Sequence, residues 1–362
     1  MARVPKYEKV TEWILGRIQS GELKDGMRLE PEQEISKLFG ISRQTVRQAL
    51  EVVEREGYLE RRQGSGTYVR YAQARPRREL SSTVTIISTY VDGYIFPRIL
   101  KSMVRVLEES GYDANIVFSN NHLETERQLL IRLLREQNGN PVIAEPVMSG
   151  LPSPNLKYYR QLHSEGVPVL FFHSFYPDLN IPHVSMNDEE AGYMATHYLI
   201  EHGHRDIAGI FKADDGQGRR RYQGYLRALL ESEIPIKERR VCWIDTQEMK
   251  DFPTMRSKLL ERLHGCTACV CYNDEVAHEL TGFLMTEGVR IPEEMSLTSI
   301  DNSELAGLNA IPLTSVSNPM ERLGECAAQH MIRLIRDANY QATYEFPVEI
   351  QERSSVRELR KV

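Results

Sequence analysis

No stretch of this sequence approaches the roughly 20 consecutive apolar residues that a membrane-spanning helix requires. The opening residues, Met1-Ala2-Arg3-Val4-Pro5-Lys6, lack the apolar run of a secretory signal. Cysteine is scarce and odd in number: Cys242, Cys266, Cys269, Cys271 and Cys326. That argues against a disulfide framework and, with no secretory signal, for a cytoplasmic protein. Cys266-x-x-Cys269-x-Cys271, with His264 close by, resembles half a zinc site, but no second ligand pair sits at zinc spacing, and no metal is expected. The Cys-Val-Cys-Tyr run at 269–272 reads instead as a buried strand in which cysteine acts as a small hydrophobe. Internal repeats and low-complexity segments are also missing. So are the signatures of common chemistries: no Gly-x-Gly-x-x-Gly after a strand, no Walker A loop, no Gly-x-Ser-x-Gly elbow and no His-Glu-x-x-His. Nothing pairs a nucleophile with a base, so neither an enzyme nor a cofactor is expected.

What is present is 362 residues of ordinary globular composition, 41% hydrophobic, too long for one core. Charge is unevenly placed. Through Arg78 the chain has 16 Lys/Arg against 11 Asp/Glu, a surplus of +5 that leaves −11 for the remainder of a chain whose total is −6. A basic head on an acidic body is the asymmetry expected when one end meets a polyanion.

Three helical patterns and a hairpin fill residues 1–70. Tyr7, Val10, Ile14, Leu15 and Ile18 recur at helical spacing. Pro31 opens a second helix with Ile35, Leu38 and Phe39 expected inward, and Gly40 supplies the left-handed turn that ends it. Ser42 is a good N-cap for a third helix striped by Val46, Leu50 and Val53. Residues 58–61 and 67–70 alternate as strands around Gln63-Gly64-Ser65-Gly66. Two helices joined by a tight Gly-containing turn form a helix-turn-helix, whose second helix offers its first residues to base edges in a DNA major groove. Those residues are Ser42, Arg43, Gln44, Thr45 and Arg47. Arginine holds guanine bidentately, glutamine holds adenine, and hydroxyls suit phosphates. The glycine-rich hairpin tip lets backbone approach DNA closely. Gly66 of that tip and Lys6 near the N-terminus complete the candidate set of contacts to a double-stranded DNA operator.

Residues 71–82 are polar, basic at first and without periodicity, and read as a linker. From 83 to 362 short apolar runs (84–90, 115–119, 141–144, 167–172, 207–211, 268–272 and 296–300) alternate with amphipathic helices. That is repeated βαβ, hence an α/β body with parallel sheets covered on both faces. Breaks near 182–184 and 312–316 suggest two lobes sharing crossovers. Polar residues follow the strands: Tyr94 and Phe96, Glu145, His173, Asn273 with Asp274, and Asp301. Arg221 is expected to begin a helix, and Asp214-Asp215-Gly216-Gln217-Gly218 reads as a ligand-facing loop. Carboxylates, amides, a guanidinium and aromatic faces at the carboxyl ends of parallel strands describe a site for a polyhydroxylated ligand.

The phrase "FGISRQTVRQAL…EGYLERRQGSGTYV" resembles the GntR-family winged helix over nearly all of residues 5–70. The resemblance implies DNA contacts from Arg43, Thr45, Arg47 and Gly64, joined by Ser42, Gln44 and Gln63. Where that family usually shows Leu-Pro-Ser-Glu-Arg, this chain shows Leu29-Glu30-Pro31-Glu32-Gln33, so Gln33 replaces a phosphate-contacting arginine. The body, through "HYLIEHGHRDIAGI", "RRRYQGYLRALLE", "VCYNDEVA" and "IPEEMSLTSIDNSELAGLNAIPLTSVSNPMERLG", resembles the LacI/GalR regulators and, more distantly, the two-lobed periplasmic sugar-binding proteins. That implies effector contacts from Tyr94, Phe96, Glu145, His173, Arg221, Asn273, Asp301 and Met320, with Asp274 and Lys212 as further candidates. His173 stands where that family often has Asp, and Met320 where an aromatic is common. The pairing of head and body, with "TYVDGYIFPRI", "AEPVMSGLPSPN" and "GIFKADDGQG", is similar to the arabinose repressors. It implies a small sugar effector, L-arabinose or a near pentose, and a homodimer whose two heads meet a pseudo-palindromic operator one helical turn apart. Two other classes stay open on the residues alone: a sugar-modifying α/β enzyme with a DNA-binding appendage, and a soluble sugar carrier, which the basic head opposes. An activator or corepressor-responsive regulator is the alternative sign of control.

Overall fold

A computed structural model describes residues 6–19, 22–24, 26–55, 58–62, 65–69, 80–90, 93–136 and 138–359, the side chains of 6, 8, 12, 19 and 55 excepted. They divide into two compact units, one holding the N-terminal residues and the other almost everything from Leu80 onward.

In the first unit, α1 (Lys6–Gln19), α2 (Glu32–Phe39) and α3 (Arg43–Arg55) precede β1 (Leu59–Arg62) and β2 (Gly66–Val69). Val10, Ile14 and Ile18 of α1 close on Ile35, Val46, Leu50 and Val53, with Leu59 and Val69 sealing the floor. Gly40 ends α2 at φ +61, its N–H directed to Lys37 and Ser36 carbonyls. The expectation for Leu38 fails: it is 65% exposed, while Ile35 is buried and Phe39 lies edge-on to Trp13 at 5.3 Å. In a two-turn helix the buried stripe runs from Ile35 to Phe39, and Leu38 falls on its far flank. β1 and β2 pair antiparallel, Leu59 opposite Val69 and Arg62 opposite Gly66.

The second unit begins with β3 (Thr83–Ser88), α4 (Phe96–Glu109), β4 (Asp113–Phe118), α5 (Leu123–Glu136), β5 (Val142–Ala144), α6 (Leu156–Ser164), β6 (Val169–Phe172) and β7 (His183–Met186). It continues with α7 (Asp188–Glu201), β8 (Ile207–Lys212), α8 (Gly216–Glu231), β9 (Val241–Ile244), α9 (Thr246–Lys250), α10 (Arg256–Leu263), β10 (Ala268–Cys271), α11 (Asp274–Thr286), β11 (Ser296–Asp301), α12 (Glu304–Leu308) and β12 (Thr314–Ser317). It ends with α13 (Met320–Arg336), β13 (Tyr344–Phe346) and β14 (Ile350–Gln351). One sheet has the order β13-β7-β6-β5-β3-β4, the other β14-β12-β11-β10-β8-β9. Every pairing is parallel except β12 with β14.

The two sheets are two lobes, and the chain passes between them three times: from β7 into α7, from β12 into α13, and from β13 into β14. The first two passages sit at the breaks expected from sequence. The third follows β13, which like β14 is too short to leave an apolar run; β9, the Val-Cys-Trp-Ile run at the other sheet's edge, was not among the expected strands. Ser81 and Ser82, within the expected linker, already bond to the lobe through Gly139 and Asp113. Cys269 and Cys271 lie fully buried in β10. Helices α7 and α8 meet at Gly192 and Gly224, where a Cβ would collide with the Arg221 and Glu189 carbonyls. Such an approach of two helices leaves no room for a side chain at either glycine.

Candidate functional site

On the head, Ser42 Oγ accepts the Thr45 N–H at 3.2 Å, capping α3, and lies 2.9 Å from the Thr45 hydroxyl. The two hydroxyls are thus engaged locally. Arg43 and Gln44 stand exposed on the first turn. Arg47, one turn on, makes a bidentate pair with Glu32, Nε to Oε1 at 3.2 Å and Nη2 to Oε2 at 3.0 Å, with its side chain still 56% exposed. Glu32 was not anticipated as its partner. Gly66 adopts φ +124, and a Cβ there would meet Arg28 Nε at 2.8 Å, so Arg28 adds a guanidinium beside the wing that sequence reasoning passed over. Gln63, Gly64 and the Lys6 side chain lie outside the described residues.

In the body, the carboxyl ends of strands from both lobes surround a cavity of about 350 Å³. A nearly fully buried member of its wall is Arg221. That residue does not begin α8, which starts at Gly216; it sits in the second turn, 1% exposed. Nε donates to Asp188 Oδ1 at 2.9 Å, Nη1 to the Tyr272 carbonyl at 2.7 Å and Nη2 to Asp301 Oδ1 at 3.1 Å. Its guanidinium carbon lies 4.9 Å from the centre of the Tyr272 ring. Burial opposes its charge, but Asp301 and Asp188 outweigh that and raise its pKa.

Asp301 also accepts from Asn318 Nδ2 at 3.2 Å and from the Tyr94 hydroxyl at 2.6 Å. Tyr94, held at φ +54, accepts in turn the Asp274 N–H at 3.1 Å, so one phenol from the first lobe ties two strand ends of the second. Further bonds cross the cleft: Gly216 N–H to Ser149 Oγ at 3.0 Å, Gly150 N–H to the Asp214 carbonyl at 3.0 Å, and Asn121 Nδ2 to Thr246 Oγ1 at 2.9 Å. The lobes are drawn together around the cavity.

Opposite Arg221, Glu145 accepts from Thr89 N–H at 3.0 Å and from the Thr89 hydroxyl through Oε2, while Oε1 lies 2.8 Å from His173 Nδ1. His173, at φ +62, meets the Phe96 ring edge-on at 5.6 Å. Its Nε2 is buried without a hydrogen-bond partner. Burial works against protonation of His173, but Glu145, and behind it Asp301 and Asp188, prevail and raise its pKa. Lys212 Nζ bonds Asp215 Oδ2 at 2.8 Å, and the Tyr272 hydroxyl donates to the same oxygen at 3.0 Å. Burial opposes the Lys212 charge as well, and Asp215 with Asp214 raises its pKa nonetheless.

Eight of the ten body residues expected from sequence therefore line one cavity, drawn from chain positions over two hundred residues apart. Two do not. Asp274 lies behind the wall, accepting from Ser299 Oγ at 2.5 Å, Ser315 Oγ at 2.7 Å and Ser303 N–H at 2.6 Å, its carboxyl pushed up to about 6 by burial and by Asp301. Met320, the first residue of α13, is buried in the core that α13 shares with α4. Asn273 lines the cavity, yet its Oδ1 is spent capping α11 through Val276 N–H at 3.0 Å. Lining residues missed from sequence include Tyr272 and Glu275, while Asp215 and Gln217 were expected only as part of a loop and not as named contacts. Asp215 and Gln217 fall in the Gly-rich phrase read as a ligand loop, of which only Asp214 and Asp215 are loop; Gly216 starts α8. Glu275 adjoins Asn273-Asp274, on the first turn of α11, and only the fold places it on the cavity.

Residues 6–69 match the family of bacterial regulatory proteins of the gntR type, and residues 196–356 match the periplasmic binding protein-like domain. The chain is 35% identical over 336 residues to the arabinose metabolism transcriptional repressor of Geobacillus stearothermophilus, covering 92% of each chain. It is 32% identical over 335 residues to the protein of the same name from Halalkalibacterium halodurans, covering 91% of this chain and 89% of that one. Among solved structures, the transcription regulator CcpA of Lactococcus lactis superposes with a TM-score of 0.68 at 27% identity, over 76% of this chain and all of that one. No helix among the described residues is long and apolar enough to cross a membrane. A gntR-type head, a two-lobed body closed over a polar cavity and end-to-end similarity to regulators rather than enzymes lead to one assignment: the chain belongs to the family of arabinose metabolism transcriptional repressors.

Proposed function

We propose that this repressor grips a double-stranded operator as a homodimer, and that a free pentose, L-arabinose or a near relative, enters the interlobe cavity and loosens that grip. The head comprises residues 1–70, a linker follows to 82, and the body senses the sugar. On the head, Arg43 and Gln44 read base edges, Arg47 is steered by Glu32, Ser42 and Thr45 set the start of the helix, and Lys6, Gln63, Gly64 and Gly66 add backbone contacts. In the body, Tyr94, Phe96, Glu145, His173, Lys212, Arg221, Asn273 and Asp301 form the sugar site, with Asp274 supporting it from behind.

The observation that carries this reading is the cavity itself: about 350 Å³, bounded by fixed charges of both signs from both lobes. A sugar offers hydroxyls that donate and accept in turn, which suits such a wall. Because the wall belongs to both lobes, occupancy favours their closed arrangement, and a ligand acts on a distant site only through such a preference. Operator retardation with titrated pentoses tests it. Release by L-arabinose at concentrations that leave binding intact with a hexose supports the proposal; binding unchanged or tightened by every pentose defeats it.

A further inference from the structure

Hydrogen-bond capacity around the cavity is unevenly spent. Both oxygens of Glu145 are taken by Thr89 and His173. Asp301 serves Arg221, Asn318 and Tyr94. Asp215 accepts from Lys212 and Tyr272. Each of these carboxylates is committed to holding the protein together. Glu275, half-buried on the first turn of α11, is different: it accepts a marginal bond from Asn273 Nδ2 through Oε2 at 3.4 Å, and it borders the cavity. Asp215 is pinned through Oδ2 alone, but among the described carboxylates of the wall Glu275 is the one held by no bond shorter than 3.4 Å.

Given a sugar as the effector, we propose that Glu275 is the specificity-determining residue that accepts a hydroxyl of the bound sugar. His173 Nε2, buried and unpartnered on the same cavity, supplies a second polar atom for the ligand. Burial, followed by the charges of Asp301 and Asp274, raises the Glu275 pKa against the pull of Asn273 and Lys212. A carboxylate so disfavoured gains most when a hydroxyl is delivered to it in a closed, dry cleft. A hydroxyl reader of this kind also discriminates well, because a ligand lacking that hydroxyl leaves the carboxylate buried and unpaired. The competing role, a negative charge resting at the N-terminus of α11, involves no ligand.

Calorimetric titration of the full chain separates the two. Wild type, Glu275→Ala and Glu275→Gln are titrated with L-arabinose and with its monodeoxy analogues, and the sugar-free proteins are melted in parallel. The expected result is a loss of roughly tenfold or more in L-arabinose affinity for Glu275→Ala. Glu275→Gln, which keeps an acceptor oxygen, retains part of it. One deoxy analogue, weak on wild type, binds Glu275→Ala no worse than L-arabinose does, and the sugar-free melting temperatures coincide. L-Arabinose affinity within twofold of wild type in Glu275→Ala overturns the assignment. So does an unchanged deoxy pattern, or a drop in affinity matched by a drop in sugar-free stability. If wild type takes no pentose at all, the pentose reading falls and the role of Glu275 with it, which intact binding in Glu275→Ala would not imply.

Discussion

On α3, Arg43 and Gln44 project into solvent from the first turn of a helix, whereas in the cavity Arg221 is 1% exposed and spends its donors on Asp188, Asp301 and a carbonyl. Similar residue types are used in opposite ways. A surface that meets a polyanion can leave a cation such as Arg43 exposed, because the partner brings the counter-charge, even though Arg47 nearby is paired with Glu32. A cavity that must stay folded while empty has to pair its charges internally, and offers a ligand only what is left over. The head's candidates could therefore be read one by one. The body's candidates had to be seen together before it was clear which were structural struts and which were free.

The contrast can be broken most forcefully at Arg221. Arg221→Leu leaves Asp188 and Asp301 buried without their cation and is expected to cost about 3–5 kcal/mol of body stability, read by urea denaturation of the full chain. A loss below about 1 kcal/mol would mean the cluster is not held by its charges. At the head the expectation inverts. Arg43→Ala should leave denaturation unchanged while weakening specific operator binding by about 1–3 kcal/mol, measured by retardation against operator and random duplexes. An equal loss on both duplexes would reassign Arg43 to a phosphate.

Tyr94→Phe sits between these extremes. It removes one hydroxyl that serves Asp301 and the Asp274 amide across the cleft. We expect about 1–2 kcal/mol less stability and a sugar titration displaced to higher concentration, since the closed arrangement loses a tie. An unshifted titration would show that Tyr94 does not bias closure. The smallest effect is one of pH. His173 has its pKa raised in the folded protein above its ordinary 6.5, so the stability it contributes is fully present below 6.5 and fades as pH rises through the elevated value. The wild-type melting temperature should therefore decline on going up from pH 6.5, and the decline should flatten in His173→Gln; parallel profiles would remove His173 from the account.

The head was legible nearly residue by residue, since caps, left-handed glycines and apolar spacing act over three or four positions. Gly40 and Ser42 fall where expected, and Leu38 misleads because a two-turn helix leaves its stripe poorly defined. In the body, the alternation of strands and helices was readable from apolar runs; β13 and β14 were not, being three- and two-residue edges whose pairing comes from the neighbouring strand, whereas β9, an apolar Val-Cys-Trp-Ile run at a sheet edge, was passed over. Met320 looked like a ligand contact from its place in the chain and is core. Glu275 was not singled out at all and borders the cavity.

The order of residues alone determined that a basic helix-turn-helix head precedes an acidic α/β body, because helix periodicity, turn chemistry and charge are local properties of the chain. Only the tertiary structure decided how the cavity's carboxylates divide between holding the fold and facing a ligand. A hydrogen bond once made to Arg221, Tyr94 or Thr89 is capacity no longer on offer, and those partners come from strand ends that only folding brings together.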